Sequence, residues 1–102
     1  MKALGQLLSL LPRTQLFGPG HVAVAAIAYD SRKVSPGALF VALPGRRTDG
    51  HLYLEEALAR GAVALAVQGD RRPLWEPLLA QGVALVAVPD SRQALSALAA
   101  AF

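Results

Sequence analysis

Leu4, Leu7, Leu8 and Leu11 recur at the three- and four-residue spacing of one helix face, which predicts a helix over residues 2–11 that Pro12 ends. After a turn at Gly18, Pro19 and Gly20, the Val-, Ala- and Ile-rich residues 22–28 read as a strand. A polar segment follows, then a turn at Pro36 and Gly37, and then a short apolar strand over residues 39–43. The polar loop 44–51 leads into a helix over residues 53–60, with Leu54, Ala57 and Leu58 inward and Gly61 as its C-terminal cap. Residues 62–67 read as a strand and 73–80 as a short helix. Pro73 suits its first turn, and Pro77 shortens or bends it. Residues 83–88 form the last strand, and Asp90 or Ser91 caps a final helix that runs through Phe102.

From residue 39 onward, strands therefore alternate with helices, which predicts right-handed crossovers and a parallel sheet. The strands are continuous apolar runs, as expected where helices cover both faces. An antiparallel edge from the first part of the chain completes the expected fold, a three-layer α/β/α domain with a mixed, largely parallel sheet. At 102 residues the chain suits one domain, and 54% hydrophobic against 17% charged residues argues for a packed core and against disorder. No apolar run approaches the ~20 residues of a membrane-spanning helix, and the N-terminus is too short and too lightly charged for a signal peptide. The expectation is a cytoplasmic monomer that binds no membrane. The lack of cysteine excludes disulfides, thiolate zinc sites and cysteine nucleophiles.

A net charge of +3 is ordinary, and the placement of the charges matters more. Ligands of open α/β sheets bind beyond the carboxyl ends of the strands. Two polar loops fall there: Tyr29-Asp30-Ser31-Arg32-Lys33 and Gly45-Arg46-Arg47-Thr48-Asp49-Gly50-His51. Glycines let backbone N–H groups approach an anion, and arginines offer forked donors to phosphate. Together the loops could cradle a nucleotide or diphosphate. Each part also has a structural alternative. Asp30 and Ser31 can cap a turn, Arg46 and Arg47 can be a solvated tip, Asp49-Gly50 can be a turn, and His51 can bond backbone.

The sequence has neither G-x-x-x-x-G-K-[ST] nor G-x-G-x-x-G, no cluster at metal-ligand spacing and no nucleophile elbow around Ser31. No residue is assigned a catalytic role. Only Tyr29 and Tyr53 flank the basic loops, too few aromatics for a nucleic-acid stacking surface, so no nucleic acid is expected as partner. These patterns leave the ligand as an anion.

Residues 30–51 fit D-[ST]-R-x-V-x-P-G-x-L-F-V-A-L-x-G-x-x-x-D-G-H, and in this the chain resembles the N-terminal domain of Mur ligases. Residues 57–67 and the helix beginning Ser91-Arg92 extend the resemblance over nearly the whole chain. D-G-H, where a second branch (MurF) has D-A-H, points to the tripeptide synthetase branch (MurE). The resemblance implies that residues 1–102 hold the UDP end of UDP-N-acetylmuramoyl-L-alanyl-D-glutamate. The full ligase, using ATP and Mg2+, adds the third peptide residue in peptidoglycan synthesis. It implies that Tyr29 and Ser31 contact the uridine side. Arg46, Arg47 and Thr48 would lie along the nucleotide and diphosphate, and Asp49, Gly50 and His51 would shape the loop or bind directly. Position 29 is often aliphatic in the family, and Tyr29 departs from that. ATP-binding central and C-terminal domains are expected outside this chain, leaving it with no catalytic, ATP or metal site of its own. The alternatives are a MurF-type domain and a stand-alone module of the same fold for another anionic ligand.

Overall fold

The computed structural model describes residues 1–102. Four strands run parallel at its centre: β4 (Ala26–Ala28), β5 (Ala38–Val41), β6 (Ala64–Gln68) and β7 (Ala84–Val88), numbered in chain order after β1 (Lys2–Ala3), β2 (Gln15–Phe17) and β3 (Ala23–Val24). The five-stranded sheet has the order β2-β7-β6-β5-β4. Strand β2 closes one edge, antiparallel to β7, with Phe17 opposite Leu85.

Every residue of β5, β6 and β7 is buried, because alternate side chains enter two separate cores. Leu39, Val41, Ala64, Ala66, Ala84 and Val86 face one core, which is closed by Leu4 and Leu7 of α1 (Leu4–Leu8) and by Ala94 and Leu98 of α4 (Ser91–Ala100). The three alanines let these helices approach the sheet closely. Phe40, Leu65, Val67 and Leu85 face the other core. Leu54 and Ala57 of α2 (Leu54–Ala59) and Trp75 of α3 (Arg72–Trp75) close it. The result is the expected three-layer, mixed and largely parallel architecture.

The N-terminal third differs from the sequence pattern in detail. The helix expected over 2–11 is confined to α1, because Lys2 and Ala3 pair antiparallel with β3. The leucine face still packs as one unit: Leu4, Leu7 and Leu11 are buried and Leu8 lies against them. The run expected as one strand over 22–28 splits at Ala25, whose N–H donates to the Gly37 carbonyl. Its first part joins the small β1–β3 sheet and its second the main sheet. Further along, α3 gives way to a 3-10 turn over Glu76–Gln81 that contains Pro77, the shortening anticipated for that proline. No helix is long and apolar enough to cross a membrane.

Candidate functional site

Strands β4 and β5 end side by side, and the two polar loops leave from their carboxyl ends. Between them lies an open cleft of about 450 Å³, walled by Tyr29 to Arg32 on one side, by Thr48 and Gly50 on the other, and by Tyr53 and Glu56 from the start of α2. Phe40 and Leu43 provide its apolar part. A second depression of about 350 Å³ adjoins it. Tyr29 and Leu43 border both, and Arg92 and Ser96 of α4 line its far side.

The first loop is organised by Asp30. Its carboxylate accepts the Arg32 backbone N–H, which starts a 3-10 turn over Ser31–Lys33, and it also accepts the fork of the Arg32 guanidinium at 3.1 and 2.9 Å. The Arg32 side-chain bond, helped by its backbone N–H, lowers the Asp30 pKa to about 2. Arg32 is thus charge-paired although its side chain is exposed. Ser31 is buried at the base of the cleft, where its hydroxyl donates to the Glu56 carboxylate. Tyr29 is 61% exposed and leaves its ring open to a ligand.

The second loop turns sharply at Gly45, where a Cβ would lie 2.3 Å from the Thr48 carbonyl oxygen. Thr48 and Tyr53 share a hydroxyl–hydroxyl bond of 3.0 Å at the cleft wall. Arg46 and Arg47 stand at the exposed tip and do not line the cleft. Neither takes part in a salt bridge, and nor does Lys33. Arg92 holds the root of this loop from outside, its Nη2 donating to the Pro44 carbonyl at 2.6 Å.

Asp49, Gly50 and His51 are committed inward. The Asp49 carboxylate accepts the His51 backbone N–H at 3.0 Å, bonds His51 Nδ1 at 2.6 Å and takes Arg71 Nε at 2.8 Å. Burial would raise the Asp49 pKa, but the bonds from His51 and Arg71 outweigh it and hold the carboxylate below its ordinary value. The same contact raises the Arg71 pKa. His51 is 2% exposed, and its Nε2 accepts the Gln68 backbone N–H at 2.9 Å. With both ring nitrogens occupied, His51 ties the loop to the end of β6 and turns no polar atom to the cleft. Gly50 lies so close to β5 that a Cβ would stand 2.8 Å from the Leu43 nitrogen. Of the eight site residues proposed from sequence, Tyr29, Ser31, Thr48 and Gly50 reach the cleft. Arg46 and Arg47 stand apart on the exposed loop tip, and Asp49 and His51 brace the loop from within.

Glu56, Gln68 and Arg71 were not singled out by sequence. Glu56 resembles an ordinary acidic residue in a first helical turn. Gln68 accepts Trp75 Nε1 on its carbonyl and both the Ser91 N–H and hydroxyl on its side chain, so it joins β6 to α3 and α4. The chain contains no group of three His, Cys, Asp or Glu side chains that could hold a metal ion.

The fold agrees with the similarities found among known proteins. The model described as "Mur ligase family, catalytic domain" matches residues 23–102. The chain is 46% identical over 84 residues to a UDP-N-acetylmuramyl-tripeptide synthetase of Roseiflexus sp. (strain RS-1), covering 82% of this chain and 16% of that protein. It is 43% identical over 96 residues to a UDP-N-acetylmuramoyl-L-alanyl-D-glutamate--2,6-diaminopimelate ligase of Geobacillus thermodenitrificans (strain NG80-2), covering 94% and 18%. Among solved structures, the UDP-N-acetylmuramoylalanyl-D-glutamyl-2,6-diaminopimelate--D-alanyl-D-alanyl ligase of Acinetobacter baumannii superposes with a TM-score of 0.71 at 26% identity, over 93% of this chain and 20% of that one. The chain belongs to the Mur ligase family. It spans less than a fifth of the length of these curated relatives.

Proposed function

We propose that this chain is the domain of a longer ATP-dependent ligase that binds the UDP end of UDP-N-acetylmuramoyl-L-alanyl-D-glutamate, the substrate to which the ligase adds a third peptide residue. The observation that carries this reading is the cleft itself. It draws Tyr29 and Ser31 from one loop and Thr48 and Gly50 from the other into one concavity at the carboxyl ends of β4 and β5. In this reading the nucleoside enters between the Tyr29 ring and the Ser31 wall. The diphosphate stays outward, where Lys33, Arg46 and Arg47 carry unpaired charge. Asp49 and His51 act by fixing the loop.

The chain's residues do not themselves fit the ATP and Mg2+ expected of such a ligase. They offer no three-residue cluster for the ion and no phosphate loop, so we assign the chemistry to other parts of the longer protein. The similar solved structures include MurF of Acinetobacter baumannii, which keeps a MurF-type substrate open as a second reading. Gly50 within D-G-H and the 43–46% identity to tripeptide-type ligases favour the first.

Calorimetric titration of the chain with UDP-N-acetylmuramoyl-L-alanyl-D-glutamate, with UDP and with single-stranded RNA tests the reading. Saturable binding of the first two, weakened by Ser31→Ala without a change in unfolding midpoint, is expected. Steeply salt-dependent binding of RNA in preference to UDP would overturn it.

A further inference from the structure

We infer that Glu56 is a specificity residue of the cleft, accepting a hydrogen bond from the nucleoside and turning the phosphates outward. The inference rests on the nucleotide reading above and assigns a role to a side chain that reading does not use.

Glu56 lies in the first turn of α2, and its carboxylate borders the cleft. One carboxylate oxygen accepts the Ser31 hydroxyl. A serine hydroxyl has a single proton, so once that proton is given to Glu56, Ser31 presents only lone pairs. Ser31 and Glu56 therefore form a wall that accepts hydrogen bonds and donates none.

The cations beside this wall, Arg60 and Arg32, make no close hydrogen bond to Glu56. Arg60 Nη2 stands 3.9 Å from the other carboxylate oxygen, beyond hydrogen-bond distance, and is half exposed. Arg32 is on the same side but directs its fork to Asp30. A phosphate against this wall would meet a carboxylate and a hydroxyl with no proton to give. Cations without a salt-bridge partner lie away from it, at Lys33, Arg46 and Arg47 on the loops and at Arg92 beside the adjoining depression. The charge pattern thus sets the ligand's direction, with neutral donor groups inward and the diphosphate outward.

Uridine carries two kinds of donor suited to such a wall, the imide N–H of the base and the hydroxyls of the ribose. Cytidine has a lone pair where uridine has the imide N–H, and deoxyuridine lacks the 2′-hydroxyl. A site built around an acceptor rejects the analogue that lacks the donor.

The test measures the affinities of UDP, CDP and 2′-deoxy-UDP for the chain and for its Glu56→Ala and Glu56→Gln variants. Glu56 is on a helix surface where alanine is well tolerated, and Glu56→Gln keeps an acceptor for Ser31. We expect one analogue to bind the unaltered chain about 10-fold or more weakly than UDP, as for loss of a charge-assisted hydrogen bond. In Glu56→Ala that gap should close to within about 3-fold, the coupling a double-mutant cycle reads, with Glu56→Gln intermediate. A gap for CDP identifies the imide as the donor, and a gap for 2′-deoxy-UDP identifies the ribose. If both analogues match UDP in the unaltered chain, or if the gap persists undiminished in Glu56→Ala, the inference is overturned while the nucleotide reading stands. If UDP does not bind the unaltered chain, both fail.

Discussion

His51 accepts, through Nε2, the backbone N–H that Gln68 donates from the end of β6, at 2.9 Å. Because Gln68 is the donor, Nε2 is left as the acceptor and Nδ1 faces the Asp49 carboxylate at 2.6 Å. Replacing His51 by alanine would leave a buried N–H without a partner, remove one of the three bonds to the Asp49 carboxylate and open a cavity. We expect a loss of about 2 kcal/mol or more in urea-induced unfolding, from the unsatisfied donor and the cavity together. A change within about 0.5 kcal/mol, the range of an ordinary surface substitution, would mean that this bond does not brace the loop.

Gly50→Ala tests the same loop through its backbone. The new Cβ would lie 2.8 Å from the Leu43 nitrogen and 3.0 Å from its carbonyl oxygen. These are backbone atoms at the end of β5 and cannot rotate aside. The Gly50 N–H to Leu43 carbonyl bond, 2.8 Å long, would have to stretch. The expected cost is about 1–3 kcal/mol, typical of forced overpacking, and it should appear as a lower thermal midpoint. Because Gly50 also lines the cleft, UDP affinity should fall with stability.

These two residues also show what the sequence could convey. The D-G-H signature marked the loop, but the atoms that hold it come from afar: Gln68 is 17 residues from His51, and Arg71 is 22 from Asp49. Glu56, 25 residues from Ser31, is likewise invisible to local pattern. The parallel strands were legible because burial on both faces leaves an unbroken apolar run. The antiparallel edge was expected from the first part of the chain, but its residues were not placed, because β2 is three residues long and none of the three is fully buried. The break at Ala25 was hidden for another reason: apolar residues on either side of it look alike whether they serve one sheet or two.

Acidification should weaken the fold through Asp49. Its folded-state pKa lies below the ordinary 3.8, so the unfolded chain takes up the proton first. The stability this gives is complete above the unfolded value and is lost as pH falls through it toward the folded one. Asp30, lowered to about 2, acts in the same direction, although its exposed Arg32 partner makes its share sensitive to salt. Thermal midpoints measured between about pH 6 and pH 2 should fall for the unaltered chain. Asp49→Asn should start lower at neutral pH and fall less. Parallel curves for the two proteins would remove Asp49 as the source.

Arg92 offers a way to separate the position of the second loop from its chemistry. Its guanidinium bonds the Pro44 carbonyl at 2.6 Å, holding the root of the segment that carries Arg46, Arg47 and Thr48, yet the side chain lies at an exposed surface. A single exposed bond contributes little to global stability, about 0.5–1.5 kcal/mol at most. Its loss would instead be felt in the order of the loop. Arg92→Ala should therefore bind UDP about 3- to 10-fold more weakly, as expected for about 1 kcal/mol of lost positioning, while the unfolding midpoint moves little. Arg92→Lys can still donate one bond to Pro44 and should recover part of the affinity. If Arg92→Ala lowers stability and leaves UDP affinity unchanged, the contact is a brace between α4 and β5, and the loop keeps its shape without it.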